Sequence, residues 1–346
     1  MKKAFGNLIA TMAVLAAIVT PASAQKSKTA TPKTELKPTQ TVQLYPRWSE
    51  PLTILEGKKS EMNAANSGKV KVSNRLSGPE AMDQFGRITN VTDSSARIEL
   101  YIPKKCNGKM VIVCPGGAYK LLASFHEGVY VAEWLNNNDI AAAVLYYRMP
   151  NHNSTVPMDD LTTAIRYCRA HAKEWGIKEI GVMGFSAGGH LVCSVSENPE
   201  DKESRPDFTI AIYPRLVITP KTQCGTRTNL LPDTDNWKDL GGKEKKAEQS
   251  AYKQLCEKYS CEKNISRNMP PIFIAHSYDD KVVDYEESMD FFEELVKKGV
   301  KCELHVYPEG GHGWGFVPEK AKTKDDKFKD CREGFQAELK NWIDKL

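Results

Sequence analysis

The sequence lacks three features, each of which would point to a different class of protein. It has no strong charge of one sign, because 48 lysines and arginines stand against 44 aspartates and glutamates, a formal net charge of +4 over 346 residues. This balance argues against a nucleic-acid-binding protein, whose surface usually carries a basic stripe. No run of about 18 uninterrupted apolar residues is present, which argues against a membrane-spanning helix. Internal repeats are absent, which argues against a repeat architecture.

Signatures of metal and cofactor binding are also missing. No group of cysteines and histidines has the spacing of a zinc site. Neither a P-loop nor a dinucleotide-binding fingerprint occurs. We therefore expect a protein that needs no metal and no cofactor.

The nine cysteines are an odd number, so at least one thiol is free or pairs between molecules. Cys114 and Cys193 lie in apolar stretches, which predicts buried thiols. Cys256 and Cys261 stand five residues apart in a polar region. A disulfide between these two and a pair of free thiols both remain open.

The first 24 residues have the pattern of an export signal. Two lysines precede an apolar run at Leu8–Thr20, and Ala-Ser-Ala at 22–24 offers small residues to a signal peptidase. A membrane anchor is the alternative, but the run is too short for one. We predict cleavage after Ala24 and a periplasmic or secreted location. Residues 25–43 are rich in Lys, Thr and Pro, which predicts a flexible linker before a folded domain at 44–346.

Strand-like and helix-like segments alternate from Ile88 onward. Continuous apolar runs are typical of strands covered on both faces of a sheet, and amphipathic spacing is typical of helices packed on it. The predicted strands are 96–102, 110–114, 140–147, 180–185, 208–213, 272–276 and 302–307, and the predicted helices are 127–137, 159–175, 187–194, 285–298 and 328–346. This alternation predicts an α/β fold with a mainly parallel central sheet and helices on both faces.

The segment at about 215–269 interrupts the alternation. It is polar, contains Trp237 and a Gly-Gly pair, and lies between two predicted strands. Long irregular connections inside a domain are usually functional or disordered. We predict a cap insertion near the strand ends, with a solvated surface excursion as the alternative.

The pentapeptide GFSAG at 184–188 matches the pattern G-x-S-x-G. The pattern alone is weak, but a predicted strand precedes it and a predicted helix follows it. A nucleophile elbow needs this strand–turn–helix context, because the serine sits on a tight turn with its hydroxyl exposed. We predict Ser186 as a nucleophile and the backbone N–H of Ala187 as one donor to a developing oxyanion.

A serine nucleophile needs a general base and an acid that orients the base. In this arrangement both follow the serine in the chain, on loops after later strands. Strand 302–307 leads into a glycine-flanked His312, which we predict as the base. Strand 272–276 leads into Asp279 and Asp280, and either of them fits the acid.

The segment PGGAY at 115–119 follows the strand 110–114. Glycines let a backbone approach a substrate carbonyl, and an oxyanion hole needs N–H groups from a second place besides the elbow. We predict Gly117 and Ala118 as these donors. An ordinary strand-to-helix turn, which also favours glycine, is the alternative.

Together these motifs resemble the α/β-hydrolase superfamily and, more narrowly, the bacterial acetylxylan-esterase-like carbohydrate esterases. The matching stretches run in family order over about 85–345. They are VIVCPGGAY at 111–119, HEGVYVAEWLN at 126–136, YRMP at 147–150, GVMGFSAGGHL at 181–191, RPDFTIAIYP at 205–214, HSYDDKVV at 276–283 and GGHGWGF at 310–316. The family pattern H-x-x-x-D-x-x-V places the acid on Asp280. Ala118 departs from the family's third glycine.

The resemblance implies an α/β-hydrolase fold and removal of acyl groups, typically acetyl, from plant polysaccharide such as acetylated xylan. The expected partner is thus an acylated carbohydrate, and the oligomeric state stays open. Tyr119, Trp237 and Trp314 are candidates for stacking on sugar rings, with packing in the core or at the rim as the alternative for each.

Three other functions share this fold. A prolyl-oligopeptidase-like peptidase usually carries a β-propeller, yet only about 85 residues separate the predicted cleavage site from Met110. A lipase usually has an apolar lid helix, whereas 215–269 is polar. A non-catalytic carbohydrate-binding protein would be expected to have lost part of the serine–histidine–acid set.

Other polar residues near the motifs have structural interpretations. Arg148 is predicted to bind a carboxylate such as Asp160. His190 is predicted to pack on the sheet and His276 to hydrogen-bond locally. Glu127, beside the oxyanion segment, has no assigned role.

Overall fold

Short apolar strands make up the centre of the fold. The computed structural model describes residues 36–45, 79–92, 95–232, 234, 241–318 and 328–346. Their strands are β1 (Gln40–Gln43), β2 (Ala81–Met82), β3 (Arg87–Thr89), β4 (Arg97–Tyr101), β5 (Lys109–Cys114), β6 (Leu121–Ala123), β7 (Ala141–Tyr146), β8 (Glu179–Phe185), β9 (Phe208–Ile212), β10 (Ile272–Ser277) and β11 (Cys302–Tyr307).

Seven α-helices lie between or after these strands in the described part of the chain. They are α1 (Tyr130–Asn137), α2 (Thr155–His171), α3 (Ala187–Glu197), α4 (Gly225–Leu230), α5 (Gly242–Lys258), α6 (Glu286–Lys298) and α7 (Lys329–Lys345). A π-helical turn at Phe125–Val129 precedes α1, and a 3₁₀ turn at Cys261–Lys263 follows α5. None of the described helices combines the length and the hydropathy needed to cross a membrane.

The central sheet has eight strands in the order β1-β4-β7-β5-β8-β9-β10-β11. The pairs from β7 through β11 are parallel, and β4 and β1 add antiparallel strands at one edge. All six residues of β7 are buried, so both faces of the sheet are covered there. The predicted mainly parallel α/β fold is confirmed.

The parallel order of the strands places the predicted site residues on one side of the sheet. The loops after β5, β8, β10 and β11 leave the sheet at the same edge, because these strands run in the same direction. In open α/β sheets, ligands bind outside the carboxyl ends of the strands. The predicted oxyanion segment, Ser186, Asp280 and His312 all follow these strand ends.

The end of the predicted linker is wrong by a few residues. Gln40–Gln43 form strand β1, which pairs antiparallel with β4 through the register Thr41 to Glu99 and Val42 to Ile98. Composition misses this strand because it lies at an edge, is mostly exposed, and is held by backbone hydrogen bonds rather than by apolar burial. The predicted signal peptide at 1–24 and the linker up to residue 35 lie outside the described residues.

Two predicted helices begin three or four residues from the point where the α-helix begins in the structure. The helix predicted at 127–137 begins as the π-helical turn and becomes α-helical at Tyr130. The helix predicted at 159–175 runs instead from Thr155 to His171, because Pro157 is compatible with a first helical turn. Helix α6 ends as predicted, since Gly299 adopts the left-handed conformation (φ 74°).

The segment between β9 and β10 contains α4, α5 and the 3₁₀ turn. Helix α4 touches the oxyanion segment, where the Asn229 side-chain amide donates to the Ala118 carbonyl at 2.9 Å. The insertion therefore reaches the predicted site, and its role as a cap stays a prediction. Trp237 lies outside the described residues.

All nine cysteines are described, and all are free thiols. Cys114 and Cys193 are buried, as predicted. A disulfide between Cys256 and Cys261 is not formed, and both thiols are buried instead. Burial raises the pKa of both, which keeps them protonated and unreactive.

Candidate active site

Ser186 sits on a sharp turn between β8 and α3. Its backbone has φ 51° and ψ −115°, a left-handed conformation that costs energy for a residue with a side chain. The turn requires glycine on either side. A Cβ at Gly184 would lie 2.0 Å from the Gly188 carbonyl oxygen, and one at Gly188 would lie 2.1 Å from the Cys114 carbonyl oxygen. The local sequence GFSAG thus produces the elbow geometry predicted from it.

A hydrogen-bonded chain of three side chains starts at this serine. His312 Nε2 lies 2.9 Å from Ser186 Oγ, and His312 Nδ1 lies 2.7 Å from Asp280 Oδ2. Ser186 and His312 are partly exposed, whereas the Asp280 side chain is fully buried. The structure therefore brings together the three residues that the sequence placed on separate loops. This geometry suits general-base activation of a hydroxyl.

Four donors surround the Asp280 carboxylate. Oδ1 accepts the N–H groups of Val282 (2.8 Å) and Val283 (3.0 Å), and Oδ2 faces both His312 and His276. Burial alone would raise the pKa of Asp280. The hydrogen bonds from His276 and His312 outweigh burial and hold this pKa well below its usual range. Asp280 is therefore a permanent anion behind the histidine.

Asp279 is turned away from the imidazole of His312. Its Oδ1 accepts the N–H of Gly311 at 2.6 Å, which anchors the loop that carries His312. The geometry thus selects Asp280 over Asp279 as the partner of the base, in agreement with the residue that the family resemblance indicated.

His276 is a second histidine on the same carboxylate. Its Nε2 lies 3.2 Å from both Asp280 Oδ2 and the Val283 carbonyl oxygen, so this nitrogen carries the proton. Nδ1 lies 2.8 Å from the Ser288 hydroxyl. The predicted local hydrogen bonding is confirmed, and it fixes the carboxylate that orients His312.

The oxyanion segment has an unusual backbone. Gly117 has φ 129°, and a Cβ there would lie 2.1 Å from the Leu121 carbonyl oxygen, so only glycine fits. Ala118 and Tyr119 both adopt left-handed conformations. Among the described residues, the N–H groups of Gly117, Ala118 and Ala187 have no hydrogen-bond acceptor. They are therefore free to bind an anionic oxygen beside Ser186.

Glu127 links the oxyanion segment to the histidine loop. Its buried carboxylate accepts the Gly116 N–H at 2.7 Å and the Tyr213 hydroxyl at 2.9 Å. The same hydroxyl accepts the N–H of Gly315 at 3.1 Å. The Tyr213 ring in turn lies 4.9 Å from the ring of His312. One carboxylate thus connects two loops that together carry the proposed oxyanion donors and the base.

The π-helical turn Phe125–Val129 gives Glu127 this position. Within this turn, the backbone carbonyl oxygen of His126 accepts the Phe316 N–H at 2.7 Å. The turn therefore also holds the loop that carries His312. Single-turn π-helices are often found at functional sites. Sequence reasoning missed the role of Glu127, and the available signal was a carboxylate that directly precedes a buried apolar run.

The sugar-stacking prediction is wrong for two of its three aromatic residues. Tyr119 is 1% exposed and its hydroxyl donates to His190 Nδ1 at 2.9 Å. Trp314 is also 1% exposed and packs edge-on against Tyr213 and Phe335. Both rings lie in the core. The sequence prediction failed because composition and spacing do not reveal which side of a loop faces the interior.

His190 is fully buried beside Tyr119. Its Nε2 donates to the Tyr259 carbonyl at 2.7 Å, which leaves Nδ1 as the acceptor. Burial lowers the pKa of His190 to about 4, so the imidazole is neutral. Helix α3 is thereby joined to the oxyanion segment and to the insertion.

A buried ion pair joins the segment after β7 to helix α2. Arg148 binds Asp160 as predicted, and its Nη2 lies 2.6 Å from Asp160 Oδ1 with both side chains buried.

Among the described residues, no group of three or more histidine, cysteine, aspartate or glutamate side chains has the arrangement of a metal site.

Comparisons with known proteins agree with this geometry. An acetylxylan esterase of Xylanibacter ruminicola is 32% identical over 232 residues, which are 65% of this chain and 45% of that protein. Endo-1,4-beta-xylanase B of Butyrivibrio fibrisolvens is 33% identical over 221 residues, 59% of this chain and 32% of that protein. The chain thus spans less than half of the length of either relative.

A solved structure has a similar fold. The acetyl ester-xyloside bifunctional hydrolase from Caldicellulosiruptor lactoaceticus superposes with a TM-score of 0.53 and 30% identity, and the match covers 70% of this chain and 88% of that one. The BD-FAE family matches residues 98–295, more than half of the 346 residues. The protein therefore belongs to the BD-FAE family and is an acetylxylan-esterase-like α/β hydrolase.

Proposed function

We propose that this chain is an exported serine esterase that hydrolyses acyl esters, acetyl esters foremost, on xylan-type polysaccharide or oligosaccharide. The observation that carries the proposal is the chain from Ser186 Oγ through His312 to Asp280, at 2.9 and 2.7 Å. The names of the relatives, an acetylxylan esterase and a xylanase, support the substrate class.

The acylation half-reaction uses every part of this arrangement. Ser186 Oγ attacks the ester carbonyl carbon while His312 Nε2 accepts the hydroxyl proton. The buried anion Asp280 stabilises the imidazolium that forms. The carbonyl oxygen becomes an oxyanion and takes hydrogen bonds from the N–H groups of Gly117, Ala118 and Ala187. Collapse of the tetrahedral intermediate breaks the ester bond, and His312 returns the proton to the departing sugar hydroxyl.

Deacylation repeats these roles with water. His312 Nε2 takes a proton from a water molecule, whose oxygen attacks the acyl-Ser186 carbonyl. The second oxyanion occupies the same three N–H groups. Collapse releases the acid, and the proton goes back to Ser186 Oγ. No other reactant is required.

The described part of the insertion favours a carbohydrate over a lipid. Helix α5 has the sequence GKEKKAEQSAYKQLCEK, most of it exposed, and it offers no apolar face to an acyl chain. A lipase lid exposes such a face to its substrate. A non-catalytic carbohydrate-binding protein would not need the His312–Asp280 pair aligned on Ser186.

Export is part of the same proposal. The apolar run at Leu8–Thr20 and the small residues at 22–24 support it, and an acetylated plant polysaccharide lies outside the cell. Expression of the full chain in a bacterium should yield a mature protein that begins at Gln25, as read by N-terminal sequencing. A product that retains Met1 in the cytoplasm would contradict export without affecting the esterase.

The activity is tested by acetate release from acetylated xylo-oligosaccharides, comparing the unaltered protein with Ser186→Ala. Ser266→Ala, on a loop before β10, is the matched control. We expect release by the unaltered protein and the control, and loss of at least about 10⁴-fold in Ser186→Ala. Equal activity in Ser186→Ala would contradict the proposal. Ser186-dependent cleavage of 4-nitrophenyl acetate without release from the oligosaccharide would retain the esterase and discard xylan.

A further inference from the structure

Two tyrosines flank the proposed acid and take no part in the chemistry described above. Tyr278 precedes Asp280 by two residues, and its side chain is 60% exposed. Tyr285 lies at the start of α6, and the two ring centroids are 4.9 Å apart at an interplanar angle of 50°. Val282, between them in sequence, is 63% exposed. The loop after β10 thus presents an apolar patch to solvent, which is a mark of a binding surface.

This patch forms one wall of a cleft. The cleft has a volume of about 530 Å³ and is lined by Arg215, Tyr278, Asp280, Lys281, Val282 and Tyr285, among others. Its volume lies within the usual range of small-molecule sites, about 300–1,000 Å³. The space is open to solvent on its outer side, as a site for part of a long chain must be.

Hydrogen bonds link residues that line the cleft to the proposed catalytic residues. The Arg215 N–H donates to the Ser186 carbonyl oxygen at 3.1 Å, so the cleft and the nucleophile share this segment of backbone. The Arg215 guanidinium is held by the Glu287 carboxylate and the Val282 carbonyl. On the other side of the loop, Asp280 holds His312. The cleft is thus connected to Ser186 through the backbone of Arg215 and to His312 through Asp280.

The chemistry of the lining selects the kind of occupant. The rim carries Lys281, Asp284 and Glu286, all exposed, so one positive charge faces two negative charges. An anionic ligand such as a phosphate is disfavoured by this balance, and the charged rim disfavours an acyl chain. A pyranose ring presents C–H groups to aromatic faces and hydroxyl groups to charged side chains. A neutral sugar matches both halves of the lining.

We propose that the cleft is a sugar-binding subsite that holds a pyranose unit of the substrate chain beside the unit that carries the ester. The inference rests on the proposed function for the identity of the sugar, a unit of a xylan-type chain. Tyr278 supplies the main stacking face. Tyr285 supports the Tyr278 ring from behind, and the charged rim binds the sugar hydroxyl groups.

The subsite is tested by binding, which does not depend on catalysis. Unsubstituted xylotetraose is titrated by calorimetry into the full-length Ser186→Ala protein and into the same protein with Tyr278→Ala and Tyr285→Ala added. We expect the dissociation constant to rise about tenfold, which corresponds to about 1.4 kcal/mol and lies within the range for a stacked aromatic ring. Tyr278→Phe, which keeps the ring, should bind nearly as well as the parent. Val296→Ala, an exposed apolar position on α6, is the matched control.

Two results would overturn the subsite: no binding of xylotetraose to the Ser186→Ala parent, or equal binding after removal of both rings. If the double variant does not fold, Tyr278→Ala alone gives the answer, because this side chain is mostly in solvent. The result is separate from the proposed function. Loss of Ser186-dependent cleavage of 4-nitrophenyl acetate would contradict the esterase, whereas the titration reports only on the cleft.

A kinetic comparison gives an independent readout. The ratio of kcat/KM on acetylated xylo-oligosaccharide to kcat/KM on 4-nitrophenyl acetate should fall about tenfold in Tyr278→Ala, mainly through KM on the oligosaccharide. Val296→Ala should keep the ratio of the unaltered protein. An unchanged ratio in Tyr278→Ala would contradict a role in sugar binding.

Discussion

The two sides of the candidate site are built in opposite ways. On the oxyanion side, Glu127, Tyr213 and Tyr119 are buried and each makes a hydrogen bond that fixes a loop. On the acid-loop side, Tyr278 and Val282 lie mostly in solvent. The side chains that hold the loops of the proposed oxyanion donors and base are thus fixed by buried contacts. The side chains proposed to bind the sugar are left accessible.

The largest effect should come from the acid that orients the base. Asp280→Asn is expected to lower kcat by about 10⁴-fold, because the amide favours the wrong tautomer of His312 and carries no charge to stabilise the imidazolium. Asp279→Asn, the neighbouring position, should cost about tenfold or less, since Asp279 only anchors the Gly311 N–H. Steady-state kinetics on 4-nitrophenyl acetate measures both. Equal losses would show that the two aspartates share the role.

The next effect concerns the carboxylate that joins two loops. Glu127→Ala should lower kcat by about 10²-fold, because the Gly116 peptide loses its acceptor and the oxyanion donors beside it lose their alignment. Glu127→Gln keeps an oxygen that can accept this N–H, so it should recover most of the activity. Comparing kcat with KM on one ester, with circular dichroism as the check on folding, separates positioning from general destabilisation.

If Glu127→Ala raised KM alone, or if Glu127→Gln were no better than Glu127→Ala, this positioning role would be wrong. Tyr213→Phe offers a second probe, because it removes only the hydroxyl between Glu127 and Gly315. The losses in Glu127→Ala and Tyr213→Phe should not add in the double variant, since both act on one network.

The buried side should also show a pH dependence of stability that the exposed side lacks. The pKa of His190 falls from 6.5 in the unfolded chain to about 4 in the folded protein. Between these values the unfolded state binds more protons, so stability is full above pH 6.5 and declines as the pH falls toward 4. The free energy of unfolding that is lost over this pH interval through His190 is about 3 kcal/mol.

Urea unfolding of the unaltered protein and of His190→Gln, at pH 7 and at pH 4.5, measures this difference. The variant should lose less stability than the unaltered protein over that interval. Parallel pH curves for the two proteins would contradict a neutral, buried His190.

The smallest effect should be found in the exposed ring. Tyr278→Ala should change the free energy of unfolding by no more than about 0.5 kcal/mol, as is usual for exposed positions. Tyr119→Ala, in the buried half, should cost about 3 kcal/mol or more, because it leaves a cavity and an unpaired His190 nitrogen. Similar costs for the two tyrosines would remove the contrast between the two sides.

Local patterns predicted the parts of the site whose geometry is local. The elbow at Ser186 follows from glycines at fixed offsets between a strand and a helix, and His312 follows from its place after a strand. The fold followed from buried apolar runs such as β5 and β7. Each of these inferences depends on neighbours within a few residues.

Other features depend on contacts between distant segments, which no local pattern encodes. Glu127 meets Tyr213 across 86 residues of sequence. Asp279 differs from Asp280 only in the direction of its side chain on the loop. Tyr119 and Trp314 are of residue types that are common in sugar-binding sites, yet both side chains point into the core. Strand β1 is held by backbone pairing, which side-chain composition does not reveal.

An acetyl group on Ser186 is the intermediate on which the proposed reaction depends. Rapid acid quenching of the protein during turnover of an acetyl ester, followed by mass spectrometry of its peptides, detects this intermediate. We expect one acetyl group on the peptide that contains Ser186, present during turnover, longer-lived in Asp280→Asn, and absent in Ser186→Ala. Turnover with no acetyl group on Ser186, or with the group on another residue, would contradict it.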